Sequence, residues 1–289
     1  MDRRDLIRGA CGLAALAVPW WRQGLLAQQE TLPFGLTGQP VQGGALRGLA
    51  PPGTHQLTLD GKAVPIAGDG TFLIAFDRDA GPKAELAAAA ADRLLASSVL
   101  AVSPRAWRIE HVPVNLRPPA VPSAEFAQRR AAELAQIRAA RAAGHSSDGW
   151  RQAMIWPAVG RLSGRFGAQR VYNGTPGVYH SGTDIATGTA GTPFVAPADG
   201  VVTLAAEAAF SLEGRLLMLD HGMGLNSAFL HCAELAVRAG EAVRQGQVIG
   251  RIGATGRATG PHLHWSMMWR DSRLDAELFV PPVAISGDG

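Results

Sequence analysis

A chain of 289 residues with 47% hydrophobic content is long enough for two modest domains, each with a core of its own. Only 6% of its residues are aromatic, while 35 glycines and 19 prolines suit short strands and tight turns and argue against a long helical bundle. The formal charge of +3 falls to +1 once residues 1–27, with Arg3, Arg4, Arg8 and Arg22 against Asp2 and Asp5, are set aside, which leaves no electrostatic case for a nucleic-acid partner.

In chain order, residues 1–27 begin "MDRRDLIRGACGLAALAVPWW" and have the layout of an export signal: arginines, a short apolar run, then small residues. The run is too short to span a bilayer, and Pro19 and Arg22 interrupt its end. The adjacent arginines resemble a twin-arginine signal, which delivers folded proteins to the bacterial periplasm. A periplasmic or cell-envelope location is therefore expected, with cleavage after Ala27 and retention as a membrane anchor as the two alternatives. Cys11 falls inside this segment, so the mature chain keeps only Cys232 and has no internal disulfide.

Residues 33–113 read as a small β-rich domain, with an immunoglobulin-like sandwich as the expected architecture. Asp60-Gly61 between apolar runs is a hairpin signal, and "GDGTFLIAF" supplies another turn and strand. The alanine run 87–91 runs against this, being helical by propensity alone. His55 and His111 stand isolated, and no catalytic cluster is visible here. Residues 114–149 form a linker: the prolines of "RPPAVPS" (117–123), then a helix with Ser123 as N-cap and Gly144 past its end. Phe126, Leu134 and Ile137 give that helix a thin apolar stripe, and its arginines are expected on a solvated face.

Residues 150–289 return to short strands and turns and hold five of the eight histidines between positions 180 and 264. "HSGTD" sets His180 and Asp184 four residues apart, with Ser-Gly-Thr between them. That spacer is poor helix material, so a strand end or loop is expected, with the glycine letting imidazole and carboxylate converge. In "ATGPHLHW" the alternation of an extended chain puts His262 and His264 on one face and Leu263 on the other. The pair could line a solvated sheet face or aim at one metal ion. Zinc accepts neutral imidazole and carboxylate, and a catalytic site uses three such ligands. His180, Asp184 and one histidine of "HLH" would make that set, but spacing does not say which one.

Taken together, "HSGTDIATGTAGTPFVAPADGVV", "LDHGMGLNSAFLHC" and "VRAGEAVRQGQVIGRIGATGRATGPHLHW" resemble, in this order, the M23 family of zinc metallopeptidases, the lysostaphin and LytM type, over roughly residues 156–270. The resemblance implies a mainly β chain: an antiparallel-sheet catalytic domain, preceded here by the small β-sandwich-like domain and the linker helix. It implies that His180, Asp184 and His264 bind one zinc ion, and that His231 and His262 act beside the open coordination position. It further implies an exported metalloendopeptidase that cuts peptide crosslinks of peptidoglycan with metal-activated water, its partner being the peptide stems. A non-catalytic cell-wall binder or activator of murein amidases is the alternative. Departures from the family pattern occur at Phe229, Cys232, Trp265 and Ser266, and bear on specificity. His221 in "DHGMG" is expected to be structural, and Tyr172 and Tyr179 lie near the first ligand segment. A biotinyl- or lipoyl-like carrier would need a lysine at a hairpin tip, but the only lysines, Lys62 and Lys83, lie far upstream.

Overall fold

The computed structural model describes residues 33–114 and 123–282. The expected export signal and most of the proline-rich break lie outside the described residues. The chain is mainly β. Its first strands are β1 (Thr37–Gly38), β2 (Ala45–Leu49), β3 (Gln56–Leu59), β4 (Lys62–Val64), β5 (Thr71–Ala75), β6 (Lys83–Ala89), β7 (Leu94–Ala101) and β8 (Ile109–Val112). The first seven form a sheet of order β1-β2-β5 and a second of order β4-β3-β6-β7, which share a core that includes Phe34, Leu57, Phe72 and Leu86. Asp60 and Gly61 both have positive φ and close the β3–β4 hairpin, as the Asp-Gly signal required.

The alanine run is where local preference loses. Residues 83–89 form β6, hydrogen-bonded to β3 on one side and β7 on the other. Ala84, Leu86 and Ala88 alternate into the core while Lys83 and Glu85 face outward. Period-two burial and two ladders of hydrogen bonds outweigh a helix propensity worth a few tenths of a kcal/mol per residue, of order 0.5 kcal/mol at most.

The linker helix α1 spans Ala124–Ala142, and the Ser123 hydroxyl accepts a hydrogen bond from the Phe126 N–H at its start. Ile137 and Ala140 bury against Leu216, Met218 and Ala228 of the following domain. The helix's arginines do not all face solvent as expected. Arg130 is largely covered and pairs with Glu213 through both carboxylate oxygens (2.6 and 2.7 Å) and with Glu133 (3.1 Å). Glu133, itself buried, accepts hydrogen bonds from the N–H and hydroxyl of Ser211. The face that meets the sheet is therefore stitched by charge as well as packed.

The remaining strands are β9 (Arg161–Gly164), β10 (Gln169–Tyr172), β11 (Thr175–Pro176), β12 (Thr183–Ala186), β13 (Pro193–Val195), β14 (Gly200–Phe210), β15 (Gly214–Asp220), β16 (Leu225–Leu235), β17 (Ala242–Val243), β18 (Val248–Ile252), β19 (Leu263–Trp269) and β20 (Ser272–Leu274). The main sheet runs β17-β14-β15-β16-β19-β12-β9, with β13, β18 and β20 attached at its side. One face packs Phe194, Phe229 and Trp265 ring to ring. The opposite face, with Leu216, Met218 and Ala228, is the one α1 covers, so β15 is apolar on both sides. The departures Phe229 and Trp265 are fully buried core residues.

One tie runs across the chain. Strand β8 pairs in parallel with β10, and Trp107 packs edge-on against Phe166 at 5.7 Å. Arg78 reaches from the sandwich to the Gly167 carbonyl and lies over the Tyr179 ring. Tyr179 is thereby turned toward the sandwich. Among the described residues no helix is long and apolar enough to cross a membrane.

Candidate metal centre

His180 sits in the loop entering β12, and Asp184 is the second residue of that strand. Asp184 is the direct cross-strand partner of His264 on β19, so sheet register alone brings the two together. Two glycines make the room. A Cβ on Gly164, opposite Asp184 on β9, would lie 2.4 Å from the Asp184 carboxylate. A Cβ on Gly182 would lie 2.7 Å from His264 Nε2. The glycine of "HSGTD" is thus required for space rather than for an unusual backbone turn. Gly164 was not picked out from the sequence, where only its place opposite a ligand strand could have marked it.

The three side chains converge closely. His180 Nε2 lies 3.1 Å from Asp184 Oδ2 and 3.1 Å from His264 Nδ1, and His264 Nδ1 lies 2.8 Å from Asp184 Oδ1. A tetrahedral ion with 2.0–2.1 Å bonds separates its ligand atoms by roughly 3.3 Å, so this triangle needs only a slight expansion to hold one. The tautomers agree with that use. His180 Nδ1 is 3.1 Å from the Arg165 carbonyl, which can only accept, so Nδ1 carries the proton and the Nε2 lone pair faces the triangle. Two imidazoles and one carboxylate are a donor set zinc accepts, and this is the group of potential metal-binding side chains that converges among the described residues.

Charge follows geometry. Burial alone would raise the Asp184 carboxyl, but the His180 and His264 rings set against its two oxygens outweigh it and hold the group well below the usual carboxylate range. Burial pushes His180 down, yet Asp184 beside it brings the net shift upward. His264 and His231 are both pushed down, chiefly by burial.

His231 and His262 complete the cluster, with ring centroids 4.9 Å apart; His231 lies 6.2 Å from His264 by the same measure. How His231 arrives there is a matter of backbone. Between the pairs Leu217↔Phe229 and Arg215↔Cys232, β15 advances two residues and β16 three, so β16 carries a bulge. Phe229 and Cys232 both point into the core, and strict alternation would have sent His231 there as well. Instead His231 adopts φ 65°, which swings its ring to the metal side, and its N–H bonds the Glu213 carbonyl. A histidine in this left-handed region is uncommon and marks a position held by its surroundings. Its Nδ1 lies 2.8 Å from the Thr255 carbonyl, and His262 Nδ1 lies 2.9 Å from that of Gly260. Both rings therefore present an Nε2 lone pair, and that of His262 is 3.7 Å from Asp184 Oδ1.

Other residues fall outside. His221 is fully buried between the Asp199 carbonyl and the Ser227 hydroxyl, a structural position. Burial pushes the Cys232 thiol up to about 12, which leaves it inert.

Residues 178–276 match the sequence profile of Peptidase family M23, and the chain carries a peptidase domain of that family. Among curated proteins it is 35% identical over 127 residues to the peptidoglycan DD-endopeptidase ShyA of Vibrio cholerae, which covers 44% of this chain and 29% of that one. It is 41% identical over 107 residues to the DD-carboxypeptidase/endopeptidase Mpg of Neisseria meningitidis, covering 37% and 23%. The chain thus spans less than a third of the length of these relatives. A crystal structure of a candidate M23 peptidase from Pseudomonas aeruginosa superposes over 84% of this chain and 96% of that one, with a TM-score of 0.65 and 28% identity.

Proposed function

We propose that this protein is a zinc-dependent endopeptidase, exported through residues 1–27, that hydrolyses peptide crosslinks of peptidoglycan in the cell envelope. The observation that carries the reading is the donor triangle with His231 and His262 beside it, each ring held at Nδ1 by a backbone carbonyl. The names of the curated relatives support the substrate class.

His180, Asp184 and His264 would hold the ion. When bound, zinc supplies Lewis acidity to a scissile carbonyl and to a water molecule. The chain's own residues do the rest. His231 and His262 orient the attacking water and take its proton. Once protonated, either can donate a hydrogen bond to the developing oxyanion and pass the proton to the leaving amine. The backbone carbonyls of Thr255 and Gly260 fix both rings during this exchange. The presence of both histidines favours an enzyme over a non-catalytic activator, which would need neither.

The test is zymography of the purified chain on peptidoglycan, with and without a chelator. A clearing zone is expected that disappears with the chelator and returns with zinc, and mass spectrometry of the released fragments identifies the bond. About one zinc per chain is expected to copurify. A protein that refuses zinc in dialysis would sink the reading.

We also propose residues 33–113, 114–149 and 150–289 as the chain's folding units. Limited proteolysis is expected to cut within 114–150 and to leave two fragments that stay associated through the β8–β10 ladder. No cut in that interval would show the division to be wrong.

A further inference from the structure

Between α1 and the outer face of the main sheet lies a cavity of about 180 Å³ that reaches Ser181 and His264 at the metal centre. Its walls carry Arg130, Arg141 and Arg273 against a single carboxylate, Glu213, an excess of two positive charges. Arg130 and Glu213 satisfy each other through two short bonds. Arg141, from the last turn of α1, and Arg273, from β20, are left over. Among the described residues neither guanidinium has a carboxylate within ion-pair distance. Arg273 only lies over the Tyr179 ring at 5.7 Å. Arg141 is pushed below the ordinary arginine value, first by burial and then by the like charge of Arg273, with Glu213 opposing.

Covered cations are ordinarily paired, because desolvation without a partner is costly. The helix C-terminus offers Arg141 a partial negative charge, but it offers Arg273 none. Two half-buried guanidiniums facing one space, with the hydroxyl-bearing Ser181 and Ser266 on its wall, make a receptor for a planar anion. The cavity starts at the metal ligand His264, so its occupant must be joined to whatever sits at the metal.

We propose that this cavity is a carboxylate subsite, in which Arg141 and Arg273 hold a free carboxylate of the peptide substrate on the α1 side of the scissile bond. The inference rests on the peptidase reading above and adds a charge requirement to it. The linker helix then forms one wall of the substrate site.

The test uses synthetic crosslinked stem dimers with free carboxylates and the same dimers as carboxamides. Turnover is measured with the zinc-loaded full chain, and binding by calorimetry with the full-length His262→Ala variant, where cleavage does not intrude. The carboxylate form is expected to be favoured roughly ten- to a hundredfold, the scale of a charge-assisted pair of hydrogen bonds. Arg141→Gln and Arg273→Gln, with circular dichroism and zinc content checked, should each shrink that ratio, and together they should bring it close to one. Arg273→Lys should keep part of it. If the unsubstituted protein cleaves both dimers equally and the two bind alike, the subsite is refuted while the peptidase reading stands. If neither dimer is cleaved but binding still discriminates and depends on the arginines, the subsite stands and the endopeptidase reading falls. Substitutions that weaken both forms equally, leaving the ratio intact, would reduce the arginines to structural residues and overturn the proposal.

Discussion

Replacing His262 with alanine is expected to lower turnover by roughly a hundred- to ten-thousand-fold while leaving zinc content unchanged, the range that general acid–base assistance covers. The His262 ring lies beside the ligand triangle, 3.7 Å from Asp184 Oδ1, and its Nδ1 is engaged by the Gly260 carbonyl. Removing it takes away a proton acceptor without removing an anchor. His231→Ala should behave in the same way, because the bulge backbone persists: alanine keeps the unfavourable φ and the N–H bond to Glu213. Zinc content and turnover must be read on the same samples, with circular dichroism to exclude unfolding. Loss of the metal in His262→Ala would show that the two histidines of "HLH" have been assigned the wrong way round.

The larger expected effect is at the ligands. His264→Ala and Asp184→Asn should lose both zinc and activity, by more than the ten- to hundredfold in affinity that follows loss of an outer hydrogen-bond partner. Asp184 touches both imidazoles. Asparagine keeps the volume of the side chain at its close approach to Gly164 and removes the charge. A folded, metal-free protein is the result to look for, by elemental analysis after dialysis against zinc. Full zinc occupancy in both variants would mean that the ligand set is a different one.

Local signals made much of this legible. The Asp-Gly pair marked the β3–β4 hairpin, Ser123 the helix start, and period-two alternation placed His262 and His264 on one face. What escaped depends on contacts distant in sequence or on a backbone state that side chains do not announce. Nothing in "FLHC" signals a left-handed residue, since neither glycine nor asparagine is there, so the expected role of His231 came from the family resemblance alone. The alanines of β6 ran against the β reading of residues 33–113 because the strands that pair with them are not visible in their own propensity. Arg130 looked solvent-facing because its partner, Glu213, lies some eighty residues away. The choice between the two histidines of "HLH" came from family resemblance alone, and the zinc contents of the two alanine variants are what test it.

The pairing of Asp184 with His264 also bears on how the chain reaches its final form. The two residues are 80 positions apart, and three of the sheet's long strands lie between them in sequence. The donor triangle does not exist until β12 and β19 have met, which closes the large loop between them. An ion that binds only this completed arrangement withdraws folded molecules from the equilibrium, and each tenfold rise in free zinc above the dissociation constant adds about 1.4 kcal/mol to stability. The melting temperature of this protein is therefore a function of its medium as much as of its sequence, and acquires a meaning only when the free zinc concentration is stated beside it.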